Sequence, residues 1–363
     1  MKKNKLLIAI GAAVLIGIVS LLAYRTQNQS VSGDVIRIGA ILPLTGQFAS
    51  AGNAVRAGIE LAVEKINNDN PNRIKLFFYD TKSESKNAAM GYSRLRSLSG
   101  VRVFFTTLSD HSFVLKPMII KNNDMLFCIA SHTEILKDSK ECIFQLANTS
   151  KDEANCLCDI IAASNDIKRV YYYGLNTEAG MDFNRVFNER LNDKLIGSSY
   201  YEDDYTSIKN LVARNSDKKI DCVVVVGYAP AMGYLIKTAR EYGYVGPIWA
   251  NVGYNTTSVI QASGAFADTV SFVDYDFPYS SPIHKKYDQI SNKKYGTSYS
   301  CLSYLAMGGC NIVNTYWNIG KGDTLKVKKL ILKDAELVFD GIHFKTSPSG
   351  SITANLVLKT LKD

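Results

Sequence analysis

The fold is decided by residues 35–67, which read VIRIGAILPLTGQFASAGNAVRAGIELAVEKIN. Residues 35–42 alternate in polarity and are rich in β-branched side chains, a pattern typical of a β-strand. Pro43 ends this strand, and a short turn precedes residues 54–67, whose apolar side chains fall on one helical face. The stretch therefore predicts a strand followed by an amphipathic helix that packs on it.

The same unit of strand and helix recurs along most of the chain. Further strands are predicted at residues 74–79, 101–106, 125–130, 169–173, 198–202, 222–226 and 247–250, with helices at 87–98, 113–121, 152–164, 183–191 and 232–242. Such alternation is typical of βαβ crossovers in parallel sheets that are covered on both faces. The sequence therefore predicts an α/β fold class with two doubly wound parallel-sheet lobes.

The last part of the chain departs from this alternation. Two helices are predicted at residues 282–294 and 301–319, and the motif Phe339-Asp340-Gly341 leads to a hairpin-like stretch at 347–358. No Gly/Ser linker or low-complexity tract separates the two halves, so we expect close-set lobes joined by short crossings.

Composition narrows the possible functions. The chain has 363 residues, of which 46% are hydrophobic and 21% charged, and these values exclude collagen-like, disordered and multi-span membrane proteins. The formal charge is +8, but four basic residues lie in an N-terminal stretch without acids. The remaining 38 Lys and Arg against 34 Asp and Glu leave +4, which is too mild to indicate a nucleic-acid partner.

The N-terminus has the pattern of an export segment. Lys2, Lys3 and Lys5 precede the uncharged residues 6–24, which are also long enough to span a bilayer once. The run ends in a poor cleavage site, and no cysteine lies near that end for lipid attachment. We expect residues 1–25 to be a signal peptide or an uncleaved membrane anchor, with the chain exported from about residue 26 to a periplasm or the outer face of the cytoplasmic membrane.

The cysteine pattern does not indicate a disulfide framework. Seven cysteines are spread over the chain without a C-x-x-C pair, which also argues against a zinc site. Buried free thiols are expected, with at most a few bridges formed by long-range pairing.

Polar loops follow two neighbouring predicted strands. Residues 107–112 read TLSDHS and residues 131–134 read SHTE, and each loop leads into a helix. Ligands of parallel sheets bind at the carboxyl ends of the strands, where these hydroxyls and the free N–H groups of two helix starts would form an anion-binding surface. The alternative is that Ser109 and Thr133 only cap their helices.

Two histidines lie in these same loops. His111 and His132 are candidates for ligand contact, for a metal site with Asp110 or Glu134, or for capping and solvated roles. The sequence contains no G-x-G-x-x-G after a strand, no P-loop motif, no H-E-x-x-H and no G-x-S-x-G. We therefore expect no catalytic residue, no cofactor and no metal, although an acid/base or metal enzyme using these histidines is the alternative from another class.

The order of these motifs resembles a known family. Residues 35–67 closely resemble the opening of the leucine/isoleucine/valine-type solute-binding proteins, and the likeness continues through residues 76–88, both polar loops, residues 223–243 and the late Gly350. Proteins of that family deliver ligands to ABC importers and have the type I periplasmic binding protein fold. The resemblance implies a ligand cleft between two lobes that close on it.

The resemblance also implies a set of binding residues. Ser109, Ser131 and Thr133 match the positions that meet the ligand carboxylate, and Tyr228 matches the aromatic residue that covers the ligand. It implies a first lobe of residues 34–148 and 276–342 and a second lobe of residues 149–275 and 343–363.

Two positions depart from the pattern of that family. Val252 stands where amino-acid binders place an acid against the α-ammonium, and Ala179 stands where they place a second tyrosine. An unpaired buried ammonium costs several kcal/mol, unless Glu178 or Asp182 supplies the missing charge. We therefore hypothesise a small carboxylate ligand, either an aromatic or aliphatic organic acid or a modified amino acid.

The sequence as a whole predicts a non-enzymatic, exported, monomeric solute-binding protein whose partner is an ABC permease in the membrane. A membrane-tethered ligand sensor on the same fold is the alternative if residues 6–24 are never cleaved. A degenerate binder that has lost its ligand is a further alternative, favoured by Val252 and Ala179.

Overall fold

The computed structural model describes residues 35–191, 193–333, 336–339 and 341–362. The predicted signal peptide or anchor and Asp340 lie outside the described residues. Within the described part, no helix is both long enough and apolar enough to cross a membrane.

The first sheet has five parallel strands in the order β2-β1-β3-β4-β5. The strands are β1 (Ile36–Leu42), β2 (Ile74–Asp80), β3 (Val103–Thr107), β4 (Met125–Ile129) and β5 (Ile143–Gln145), and the helices between them are α1 (Ala49–Asp69), α2 (Ser85–Ser99) and α3 (Ser109–Asn122). Strands β3 and β4 are buried along their whole length because helices cover both faces of the sheet.

The second sheet continues the pattern. Its order is β14-β10-β9-β8-β6-β7, and β14 is antiparallel to β10 while the other pairs are parallel. The elements are α4 (Ser150–Ala163), β6 (Val170–Leu175), α5 (Glu178–Arg190), β7 (Leu195–Tyr201), α6 (Tyr205–Ala213), β8 (Cys222–Val226), α7 (Pro230–Glu241), β9 (Ile248–Ala250), α8 (Thr257–Ser263) and β10 (Val270–Tyr275). Helix α6, helix α8 and strand β10 have no counterpart among the predicted elements.

The C-terminal part returns to the first lobe. It comprises α9 (Pro282–Tyr295), α10 (Cys301–Gly320), α11 (Thr324–Ile331), β11 (Glu336–Phe339), β12 (Ile342–Thr346), β13 (Ile352–Thr353) and β14 (Leu356–Lys359). Helix α10 packs closely on α1, and a Cβ added at Gly58 would lie 2.0 Å from the Ser303 carbonyl oxygen. A glycine at this position therefore lets the two helix backbones approach.

The last crossing between the lobes differs from the expected one. We predicted it at residues 342/343, but β12 pairs with β11 and β13 in a separate three-stranded sheet beside β5. The Gln145 amide donates to the Gly350 carbonyl oxygen at 2.9 Å, and the Phe344 ring packs against Gly308 of α10. Burial of this apolar face holds residues 343–353 on the first lobe, so the crossing lies between β13 and β14. The other lobe boundaries stay predictions.

All seven cysteines are free thiols, and six of them are buried. Burial raises the pKa of several of these thiols, Cys128 and Cys158 to about 12, which keeps them protonated at neutral pH.

Candidate functional site

A cavity lies between the two lobes at the carboxyl ends of the strands. It holds about 850 Å³ of unfilled space, including its mouth. The first lobe contributes Thr107, Leu108, Ser109, Asp110, Ile129 and Ser131, and the second contributes Glu153, Leu175, Glu178, Ala179, Tyr228 and Val252. Strands β3, β4 and β6 all end in this lining, as expected for a ligand site in a doubly wound sheet.

The start of helix α3 forms part of the first-lobe wall. The helix begins at Ser109, four residues earlier than predicted, and the first turn of a helix leaves backbone N–H groups without intrahelical acceptors. Leu108 precedes it with φ 72° and ψ 138°, a conformation that L side chains rarely adopt. The wall therefore presents the Ser109 hydroxyl together with the positive end of a helix dipole.

Ser131 connects the two lobes. Its hydroxyl lies 2.8 Å from the Tyr228 hydroxyl, which comes from the loop between β8 and α7 in the second lobe. The Ser131 carbonyl oxygen accepts hydrogen bonds from the Ser150 amide and from the Ser150 hydroxyl, the latter at 2.7 Å. Two of the predicted binding residues, Ser131 and Tyr228, therefore meet across the cleft.

Thr133 also bridges the lobes but lies outside the cavity lining. Its hydroxyl donates to Asp182 of α5 at 3.0 Å, and the other carboxylate oxygen of Asp182 accepts from Arg185 at 2.7 Å. The Asp182 carboxylate is therefore already hydrogen-bonded to Thr133 and Arg185, and Asp182 does not line the cavity.

His132 has a capping contact of its own. Its Nδ1 accepts from the Glu134 amide at 3.1 Å, so the ring caps a short 3-10 turn. Its Nε2 lies 3.5 Å from the Glu178 carboxylate of the second lobe, and its ring packs edge-on against Phe113. These contacts place His132 behind the cavity wall, outside the lining.

His111 is the most enclosed of the predicted site residues. Its side chain lies on α3, is 1% exposed and does not line the cavity. Neither ring nitrogen has a partner of normal hydrogen-bond geometry among the described residues. Burial, only partly opposed by the nearby Thr107 backbone, lowers the pKa of the imidazole to about 4. The ring is therefore neutral at physiological pH.

Ala179 and Val252 both line the cavity in the second lobe. Ala179 lies in the first turn of α5, and Val252 lies in a short 3-10 turn after β9. The neighbouring Gly253 packs tightly, since an added Cβ would lie 1.9 Å from the Gly227 carbonyl oxygen. This contact fixes the loop after β9 against the loop after β8.

Glu153 is a cavity residue that the sequence analysis missed. It lies on α4, is 0% exposed, and its Oε2 accepts from the Val252 amide at 3.3 Å. Its Oε1 has no partner of normal hydrogen-bond geometry among the described residues. Burial raises the pKa of the carboxyl to about 8, and the Val252 amide and the Asn251 side chain only partly oppose this shift. The helical spacing held a signal, because Glu153 shares a face with the buried Leu157 and Ile161.

The charged residues of the lining are all acidic. Asp110, Glu153 and Glu178 line the cavity, and none of its described lining residues is a lysine or arginine. Burial, together with the nearby Glu178 carboxylate, raises the pKa of Asp110. The cavity therefore combines the positive end of α3 in one lobe with acidic groups near it and opposite it.

Comparisons with known proteins agree with this architecture. The profile of a family described as "Periplasmic binding protein" matches residues 35–330. The Leu/Ile/Val-binding protein homolog 3 of Brucella melitensis biotype 1 is 23% identical over 260 residues, which cover 69% of this chain and 70% of that protein.

Two solved structures show the same fold. The branched-chain amino acid transporter substrate-binding protein LivJ from Streptococcus pneumoniae, in complex with isoleucine, has a TM-score of 0.82 at 19% identity and covers 90% of this chain and 96% of its own. A solute-binding protein of an ABC transporter from R. palustris, in complex with benzoate, has a TM-score of 0.77 at 17% identity, with coverage of 90% and 93%. These likenesses confirm the predicted α/β fold with two parallel-sheet lobes.

Proposed function

The chain belongs to the periplasmic binding protein family, and from this premise we propose that it binds a small carboxylate ligand between its lobes and delivers it to an ABC permease. The family consists of exported binding proteins, which confirms the prediction of a non-enzymatic protein. We propose further that the protein is a monomer, and that residues 6–24 are either cleaved on export or tether it to the membrane.

The observation that carries the ligand class is the wall at the start of α3. Ser109 and Asp110, the first two residues of α3, line the cavity, and the hydroxyl and N–H groups of a helix start favour an anion through hydrogen bonds and the helix dipole. Isoleucine and benzoate, the ligands named for the two solved structures, both carry a carboxylate on an apolar body.

The second lobe supports this arrangement by closing over the ligand. If Tyr228 donates its hydroxyl proton to Ser131, the Ser131 hydroxyl keeps its own proton for a ligand carboxylate. The remaining lining includes Ile129, Leu175 and Val252, which suit an apolar ligand body. Of the predicted binding residues, Ser109, Ser131, Tyr228, Val252 and Ala179 are thus the ones that we assign to ligand contact.

The test is binding to the full chain after any co-purified ligand has been removed by unfolding and refolding. A panel of amino acids and organic acids is screened by thermal unfolding, since a ligand at 100 times its Kd adds about 2.7 kcal/mol of stability. Ser109→Ala and Ser131→Ala are each expected to weaken carboxylate binding about 5- to 30-fold.

Ser93→Ala is the matched control, because Ser93 lies on α2 outside the cavity lining and its hydroxyl donates to the Ala89 carbonyl oxygen of the same helix. Equal affinities of all three serine variants would contradict the assignment of the carboxylate position. A panel in which no compound binds would contradict the proposed function itself and favour the degenerate binder.

A further inference from the structure

Glu153 is the cavity residue that carboxylate binding leaves without a role. Its side chain is fully buried at the cavity wall, and one of its two oxygens has no partner of normal hydrogen-bond geometry among the described residues. The Asn251 side-chain amide lies near this carboxyl and lowers its pKa, but its Nδ2 atom does not reach normal hydrogen-bond geometry with any described residue. A buried polar group without a partner is costly, so a ligand that satisfies the Glu153 carboxyl gains affinity.

The position of the Glu153 carboxyl compensates for a residue that the chain lacks. The resemblance places Val252 where amino-acid binders have an acid, and Glu153 accepts a hydrogen bond from the Val252 backbone amide at 3.3 Å. A carboxyl group is therefore present beside this place, although it is supplied by helix α4 and not by the loop after β9.

Among the residues that the structure describes, no lysine or arginine acts on Glu153 to balance the charge of its ionised form. The titratable groups that act on it or feel its charge are Asp152 and Cys156 on its own helix, Asp274 and Tyr275 on β10, Tyr228 after β8 and Cys301 on α10. Asp110 and Glu178 are the other acidic residues of the cavity lining. An ionised Glu153 therefore needs a positive charge that comes from the ligand.

We propose that Glu153 binds a protonated amine of the ligand and releases its own proton to solvent as it does so, so that the ligand is a small apolar zwitterion. In this step the O–H bond of the carboxyl breaks, its proton passes to the buffer, and the carboxylate pairs with the intact ammonium group. The ligand carboxylate lies at the start of α3, so this inference rests on the proposed function. The proposed zwitterion replaces the simple organic acid that we inferred from the presence of Val252.

The protonation of Glu153 in the empty cavity agrees with this step. Burial raises the pKa of the carboxyl to about 8, so the group is mostly protonated at pH 7 before the ligand arrives. A bound ammonium favours the ionised form and lowers this pKa, so binding at pH 7 releases close to one proton. A simple carboxylate would instead keep Glu153 protonated.

The experiment uses isothermal titration of the full chain with pairs of compounds that differ only in the amine. Leucine is compared with 4-methylpentanoate, and phenylalanine with 3-phenylpropanoate, in buffers of different ionisation enthalpy. We expect the amine member of at least one pair to bind about 100-fold tighter than its partner, with about one proton released per ligand at pH 7. Glu153→Gln is expected to weaken the amine member about 30-fold and to abolish proton release.

Asp159→Asn is the matched control, because Asp159 lies on the same helix and pairs with Arg190 outside the cavity. If Glu153→Gln does not fold, Glu153→Asp replaces it, because this variant keeps a carboxyl group. Glu153→Asp should still release a proton on binding but should bind the amine compound more weakly. Equal or tighter binding of the compounds without an amine, or proton uptake on binding, would overturn the role of Glu153 and leave the carboxylate proposal standing. If no compound of any pair binds, both proposals fail together.

Discussion

The two walls of the cleft differ in the kind of polar group that they present. The first-lobe wall offers the Ser109 and Ser131 hydroxyls and the N–H groups at the start of α3, whereas the second-lobe wall offers the buried carboxyl of Glu153 beside Val252. The start of α3 favours negative charge, although the Asp110 carboxyl lies beside it, whereas the second wall with Glu153 and Glu178 favours positive charge. On the proposals made above, opposite ends of one ligand contact different lobes, so we expect closure to depend on a ligand that satisfies both walls.

Each side of the cleft also contains a buried ionisable group, and the two have opposite pH responses. His111 lies behind the first wall with its pKa lowered to about 4, and Glu153 lies in the second wall with its pKa raised to about 8. Both groups are therefore neutral at pH 7, and each becomes charged at one end of the pH range.

The largest expected effect is the loss of stability at high pH caused by Glu153. The folded protein holds the Glu153 proton up to about pH 8, whereas the unfolded chain loses it near pH 4.5. The folded state binds more protons in this window, so the unfolding free energy falls as pH rises. Relative to Glu153→Gln, the wild type should lose about 4 kcal/mol between pH 4.5 and pH 8, as measured by urea unfolding. Parallel pH curves for the two proteins would contradict the buried carboxyl.

His111 is expected to act in the opposite direction. The unfolded chain binds a proton at this residue below about pH 6.5, whereas the folded protein resists protonation until about pH 4. Stability should therefore fall by about 3 kcal/mol relative to His111→Leu as pH drops from 6.5 to 4. Urea unfolding of both proteins over this pH range measures the difference. A wild type no more acid-sensitive than His111→Leu would show that the ring is not enclosed.

Packing behind the second wall is tested by Gly253→Ala. The new Cβ would lie 1.9 Å from the Gly227 carbonyl oxygen, so the loops after β8 and β9 must separate. We expect a loss of about 2 kcal/mol in unfolding free energy and weaker ligand binding, because Tyr228 and Val252 lie on these loops. Gly197→Ala is the control for binding: its new Cβ would lie 2.7 Å from the buried Tyr171 ring away from the cavity, so stability should fall while ligand affinity is unchanged. If Gly253→Ala leaves ligand affinity unchanged, the packing of these two loops does not contribute to ligand binding.

The smallest expected effect concerns the direct bridge between the walls. Tyr228→Phe removes the hydrogen bond to Ser131 and keeps the ring that covers the cavity. We expect ligand affinity to fall about fivefold, equivalent to about 1 kcal/mol, in isothermal titration. Tyr205→Phe, at an exposed tyrosine on α6, should leave affinity unchanged. A larger loss in the Tyr205 variant than in the Tyr228 variant would contradict the bridge.

The fold was predictable where a local pattern carries the information. The period of apolar residues predicted β1, β8 and helix α9 to within a residue or two. Short elements without a strong period escaped prediction, such as helix α8 of seven residues and strand β10, which contains the buried Asp274. The carboxylate of Asp274 is bonded by Asn255 and Tyr279, contacts that exist only after the chain has folded.

The residues of the candidate site show the same difference between what sequence order predicts and what only the folded structure decides. Ser109 and Ser131 directly follow buried strands, and strand ends converge at one edge of a parallel sheet, so their place in the cavity followed from sequence order. Thr133 and His132 share that position in the chain, yet their side chains turn toward Asp182 and Glu178 across the cleft. Sequence order places a loop at the cleft but does not give the direction of each side chain.

By itself, the amino-acid sequence determined the alternation of strands and helices, the two-lobed fold and the family, because these depend on local periodicity and on the order of motifs. The tertiary structure alone decided which groups share the cavity, where the last crossing lies and which histidine is enclosed. Glu153 shows the physical reason. Glu153 and Val252 are 99 residues apart in sequence, and the packing of helix α4 against the loop after β9 brings the carboxyl and the cavity wall together.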